Sequence, residues 1–348
     1  IAVPDTELAY VLLFAVISET LLCAFAGRFS FQETVLSDPL LWARVVAYLA
    51  AAFSTITRVP RGVVLTPAIG TLVSTASLIS VMASIQFEAT ANQRFIWALL
   101  PCGAVLAFLS HWLPSVARAM SRIRGGPPAV YLQRLVQSTS LVALFVAGLG
   151  ALSAVAMMFH WSPPGETRLA IVAIALAAWA IAEMAEECDL ARLRHAAVGV
   201  ALMTVALWAS VDSGETSHPA IAGAMRWLVA SVLTVPLLLF VFPLLLGPVL
   251  AGRWSVAFRR GAHLAAAGSV ASLTCMLLME AIVRTESGIP GVPTQVVIGV
   301  TVTLAILSAL SGLAAIFSAP NSAWRDRIGV TDSQRRLLVV AAPVSYTH

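Results

Sequence analysis

The residue that stands out first is a carboxylate inside a long apolar run. Glu19 lies near the middle of residues 8–27, where an ionised carboxylate costs about 2.5–3.5 kcal/mol and normally faces protein or water. Arg44, near the start of the next apolar run, is a reachable partner because long side chains extend along a helix axis. Two interpretations stay open: a proton or substrate site, or an ion pair that only locks two helices.

A second group of carboxylates closes the apolar run 168–187. Glu183 is a full helical turn inside that run, whereas the residues after it lie at the boundary. Helical spacing places Glu183 beside two further carboxylates and predicts an i,i+3 pair between Asp189 and Arg192. This group is either an ion or proton entry site or an ordinarily solvated helix end. The carboxylates are Glu183, Glu186, Glu187 and Asp189, and the basic residues that follow them are Arg192, Arg194 and His195.

A substrate path would also need a cation and irregular helices. Arg226 precedes an apolar run, where it either extends to the interface or binds a substrate anion. Interior prolines remove a backbone hydrogen bond and clash with the preceding turn, so breaks or bends are predicted at Pro67, Pro236 and Pro243. Broken helices line substrate sites in transporters, but prolines are also common in ordinary membrane helices.

The composition defines the elements that must position these residues. The 348 residues are 59% hydrophobic and only 11% charged, which excludes a water-soluble globule. A helix needs about 20 mostly apolar residues to cross the bilayer, and open sheet edges cannot exist in lipid. The sequence predicts an all-α, polytopic bundle of about ten transmembrane helices: 8–27, 40–57, 62–86, 95–113, 135–159, 168–187, 196–211, 227–251, 264–283 and 295–318.

The arginines predict an orientation. All 21 basic residues are arginine. When the loops are numbered one to ten, each after the predicted span that precedes it, fifteen arginines fall in even-numbered loops and five in odd-numbered loops. Since basic residues in short loops stay cytoplasmic, we predict a cytoplasmic (inner) membrane protein, bacterial in type, with a cytoplasmic N-terminus. Anionic lipid headgroups are the expected partners of the arginine-rich loops, nucleic acid is not expected, and protein partners are open.

Several kinds of chemistry have no motif here. The six histidines form no H-E-x-x-H pair, and the chain has no lysine, no G-x-G-x-x-G and no G-x-S-x-G. Metal ligation, phosphate cradles and nucleophile elbows of those types need such patterns. The sequence therefore favours a protein that is not an enzyme, and it indicates no cofactor and no metal.

Two function classes remain. In the first, the protein is a permease-like transporter of a small solute or lipid-linked molecule, with Glu19, Arg44, Glu183 and Arg226 along the path. In the second, it is a non-catalytic scaffold, a sensor or the membrane anchor of a larger protein. The start at Ile1 and an apolar segment near the C-terminus predict one multi-span domain over 1–348, a fragment of a longer chain with an eleventh helix cut short.

Overall fold

The architecture is helical wherever the chain is described. The computed structural model describes residues 5–26, 36, 38–58, 62–159, 164–211 and 219–287, with single positions 302, 305, 306, 309, 313 and 316. Those residues contain no strand. The predicted all-α class is therefore confirmed.

In the described residues up to Ser287, ten α-helices and one π-helical turn follow each other. Among the described residues, seven helices, α1 to α7, are long and apolar enough to cross a membrane. Each overlaps one of the first seven predicted spans, and the protein is a multi-pass membrane protein. The elements are α1 Asp5–Ala26, α2 Pro39–Arg58, α3 Gly62–Gln86, α4 Ala91–Arg124, α5 Pro128–Phe159, α6 Pro164–Glu187, α7 Ala191–Ser210, α8 Pro219–Pro236, the π-helical turn Leu237–Val241, α9 Phe242–Leu245 and α10 Gly247–Ser287.

The connection between α4 and α5 differs from the prediction. Hydropathy predicts a loop of about twenty residues over 114–134, but helix occupies most of it and only 125–127 connect the two helices. Hydropathy marks where a helix leaves the hydrocarbon, not where it ends. The reversal needs glycine, because Gly125 has φ 68° and Gly126 has φ 107°, backbone angles that other residues rarely adopt.

The eighth and ninth predicted spans also have different limits. The predicted loop 252–263 is helical and belongs to α10, while the interruption between two helices is a turn at Leu246. Pro248 explains the shift, since a proline in the first turn of a helix loses no intrahelical bond and favours helix initiation. The predicted tenth span lies largely outside the described residues.

The contacts divide the chain into two compact units, Ile1–Thr204 and Val205–His348. In the first unit, α3 packs on α1, α2, α4 and α5, and α4 packs on α5 and α6. Its apolar core includes Val16 of α1 and Leu78 of α3, both fully buried. In the second unit, α8 packs on α10, and the ring of Phe242 stacks on that of Phe258.

The two parallel helices α4 and α6 keep a constant register. Gln93 Nε2 donates to Glu166 Oε1 at 3.0 Å, and farther along Ser110 Oγ donates to Glu183 Oε2 at 2.9 Å. In each pair the two residues are 73 positions apart in the sequence. The same separation holds for Gly103 and Leu176, which lie between the two pairs. A Cβ on Gly103 would stand 2.9 Å from the carbonyl oxygen of Ala173. The absent side chain therefore permits the close approach of the two backbones.

Candidate functional site

Glu19 of α1 meets two side chains of α2. Arg44 Nη1 donates to Glu19 Oε1 at 2.8 Å, and Tyr48 Oη donates to Glu19 Oε2 at 3.0 Å. Arg44 and Tyr48 are one helical turn apart, so they share the face of α2 that meets α1. The structure thus brings together the two residues that the sequence pairs, and it adds a tyrosine that sequence reasoning missed.

The helix packing around Glu19 fixes its position. Small or apolar residues on α1, among them Cys23 and Ala24, pack against α3, and Tyr48 packs against the same core. The Glu19 side chain is 18% exposed and that of Arg44 is 51% exposed. The ion pair consequently lies at the edge of the core, with the carboxylate toward the protein and the guanidinium toward the outside.

Glu183 has two donors inside the span of α6. Ser110 Oγ of α4 donates to one carboxylate oxygen, and Trp179 Nε1 donates to the other at 2.9 Å. Trp179 lies one turn before Glu183 and is 64% exposed, a position that faces lipid. The carboxylate therefore satisfies an indole N–H that would otherwise have no acceptor in hydrocarbon. Nothing in the sequence signals the Ser110 contact, because it depends on the register of α4 against α6.

The carboxylates after Glu183 form a different contact from the predicted one. Arg194 Nε donates to Glu186 Oε1 at 3.0 Å, and Arg194 Nη2 also donates to Asp189 Oδ1. The prediction of an i,i+3 pair between Asp189 and Arg192 is wrong, because α6 ends at Glu187 and Asp189 adopts φ 51°. Helical spacing no longer applies across this left-handed residue. Arg194 is 5% exposed and joins the end of α6 to the start of α7.

The turn between α6 and α7 also holds a thiol. Burial raises the pKa of Cys188 above its ordinary value, and the neighbouring carboxylate of Glu187 raises it further. Both effects disfavour the thiolate. Cys188 is therefore a poor nucleophile at neutral pH.

Arg226 of α8 belongs to the second unit and contacts the end of α7. Its Nε donates to the carbonyl oxygen of Ala209 at 3.1 Å, and the indole Nε1 of Trp227 donates to Ser210 Oγ. The last carbonyl groups of a helix lack intrahelical partners and carry partial negative charge. In this position Arg226 stabilises the C-terminus of α7.

The proline positions differ in their effect on the helices. Helix α8 ends at Pro236, and the π-helical turn follows it directly. Helix α9 then begins, with Pro243 as its second residue. At Pro67, by contrast, α3 runs on as one α-helix. Pro67 is only the sixth residue of α3, so it removes a single bond from the early part of the helix. Thr71 Oγ1 donates to the carbonyl oxygen of Pro67 at 2.8 Å.

Within the first unit, the predicted site residues Glu19 and Glu183 have different partners. Glu19 lies with Arg44, Glu183 lies with Ser110, and no contact between these two sites is found in the described residues. Arg226, Pro236 and Pro243 belong to the second unit. In the part of the chain that the structure describes, no three His, Cys, Asp or Glu residues are placed to hold a metal ion.

Comparison with known proteins adds no family. No family model matches the chain, and no curated protein or solved structure has significant similarity to it. Its class rests on the helices: it is a multi-pass helical membrane protein.

Proposed function

We propose that the protein is a permease-like transporter of a small solute or lipid-linked molecule. The observation that carries this proposal is the ion pair of Glu19 and Arg44 within the spans of α1 and α2, at 2.8 Å. Charges inside membrane helices are costly and commonly mark ion, proton or substrate paths. The arginine asymmetry supports placement in a bacterial cytoplasmic membrane with the N-terminus inside.

The pair provides a simple coupling between a proton and an anion. When Glu19 binds a proton, the carboxylate loses its charge and Arg44 loses its counter-ion. The guanidinium is then free to bind an anionic group of the solute, and its 51% exposure leaves room for that group. Release of the proton restores the ion pair and expels the anion.

A second candidate is a scaffold, a sensor or the membrane anchor of a larger protein. Both carboxylate oxygens of Glu19 already have a donor, Arg44 on one and Tyr48 on the other. A fully satisfied pair is also what two helices need when they are joined only for stability. In that case the charges have no solute to bind.

The experiment is uptake by proteoliposomes placed in a cell metabolite extract under an inward pH gradient, with mass spectrometry of the lumen. A transporter accumulates at least one solute above the level in empty liposomes. Glu19→Gln should abolish that accumulation while leaving insertion and abundance intact. The matched control is Tyr48→Phe, which removes one hydrogen bond and leaves both charges in place.

Two results would count against transport through this pair. If folded wild-type protein accumulates no solute, the scaffold or anchor candidate takes its place. If the double variant of Glu19→Gln with Arg44→Leu is stable and fully active, the pair is structural and the path lies elsewhere.

A further inference from the structure

The hairpin of α4 and α5 extends beyond the end of α6. Since Ser110 lies beside Glu183, the same register places Pro114 level with Glu187, the last residue of α6. From Gln93 to Pro114 the helix rises about 32 Å at 1.5 Å per residue, which matches a hydrocarbon layer of about 30 Å. The remainder of α4, up to Arg124, adds about 15 Å and lies at and above the headgroups.

This projecting hairpin is strongly basic. The sequence contains no aspartate or glutamate anywhere from 89 to 165, so no carboxylate of the hairpin itself can neutralise its charge. The exposed residues of α4 in this part include Arg118 and Arg122, one turn apart, and they therefore share one helical face. The projecting part of the hairpin, from residue 114 to residue 134, carries four arginines: Arg118, Arg122, Arg124 and Arg134.

Arg118 is turned toward the level of the membrane boundary. Its Nε donates to the carbonyl oxygen of Pro114 at 3.3 Å, and its Nη2 donates to Ser115 Oγ at 3.1 Å. The guanidinium therefore lies one turn back along α4, beside the residues that are level with the end of α6. A guanidinium has five N–H donors in a fork suited to phosphate, and the side chain is exposed.

An exposed tryptophan supports the placement of the Arg118 guanidinium at headgroup depth. Trp112 of α4 is 48% exposed and lies two residues before Pro114. Indole rings collect at headgroup depth in membrane proteins. The Arg118 guanidinium is thus at the height where lipid phosphates are found.

We infer that Arg118, with Arg122 beside it, binds the phosphate of an anionic phospholipid. The occupant is a lipid and not an acidic protein because the guanidinium folds back to the boundary instead of extending toward the tip of the hairpin. The inference does not depend on transport activity.

The first test measures the melting temperature of the purified full chain in detergent as dioleoylphosphatidylglycerol is added, with phosphatidylcholine as the zwitterionic reference. A ligand that binds the folded state raises the melting temperature according to its concentration and affinity. One arginine near an anionic surface corresponds to about a fivefold change in affinity. Arg118→Gln should therefore require about five times more phosphatidylglycerol for the same rise.

The matched control is Arg260→Gln, which removes an exposed arginine from α10. If this control weakens the phosphatidylglycerol effect as much as Arg118→Gln does, anionic lipid is attracted equally to another arginine-rich segment and the inference of a site at Arg118 fails. It fails equally if the Arg118 variant keeps the wild-type response. Arg122→Gln provides a second variant of the site and should also weaken the response.

A photo-crosslinking amino acid at Ala119, an exposed position next to Arg118, identifies the occupant in native membranes. An adduct with the mass of a phospholipid supports the inference. A protein-sized adduct there would instead show a partner protein at the hairpin and overturn it.

Discussion

Replacing Gly103 by alanine tests the close packing of α4 on α6. The new Cβ would stand 2.9 Å from the carbonyl oxygen of Ala173 and 3.0 Å from the Cβ of Leu176. Neither atom is the end of a flexible side chain, so α6 must move by about 0.5 Å to restore ordinary contact. Overpacking of this kind costs about 1–3 kcal/mol, and we expect the free energy of unfolding to fall by that amount.

The assay is reversible unfolding of the purified protein in mixed micelles, titrated with denaturing detergent and followed by circular dichroism. The control is Gly148→Ala in α5, where an added Cβ meets nothing within 4 Å. Alanine is the better helix former, so this variant should be as stable as the wild type or slightly more stable. Equal behaviour of the two variants would refute the close approach of α4 and α6.

Three further outcomes are expected. Gly125→Ala should lower the free energy of unfolding by about 1–3 kcal/mol, because φ 68° with ψ 158° is a conformation that only glycine adopts without strain; a loss no larger than that of Gly148→Ala would contradict this. Maleimide labelling of Cys188, with the other cysteines replaced by alanine, should reach its half-maximal rate at a higher pH than free cysteine, since burial and Glu187 raise its pKa. Glu187→Gln should move that midpoint back down, and an unchanged midpoint would exclude the carboxylate as a cause. Glu183→Leu should cost about 1 kcal/mol for two lost hydrogen bonds, whereas Glu183→Gln, which keeps an acceptor, should cost less; equal losses in the same unfolding assay would show that the bonds contribute nothing.

The positions of the first seven helices could be predicted from sequence because hydrocarbon imposes a length on each apolar run. Helix ends could not, since a helix can continue in polar residues after it has left the hydrocarbon. The stretch 115–124 is the example: it is polar enough to suggest a loop, but it contains no glycine or proline.

The candidate site, too, could be predicted from the sequence only in part. Glu19 and Arg44 lie on helices that follow each other in the chain, so a reachable partner could be named from sequence. Glu183 finds Ser110 on a helix two elements earlier, and no spacing rule predicts the register of non-adjacent helices. Tyr48 could have been found, as it lies one turn beyond Arg44 on the same face of α2.

The constant offset of 73 residues between α4 and α6 has a consequence for biosynthesis. At about 5–20 residues per second, the ribosome needs roughly 4–15 s to add the residues that separate Ser110 from Glu183. During that interval α4 lies in the bilayer without α6, and the surface around Gly103 that later packs against α6 is not yet covered. A stall in translation after α5 would leave this intermediate exposed to quality-control proteases.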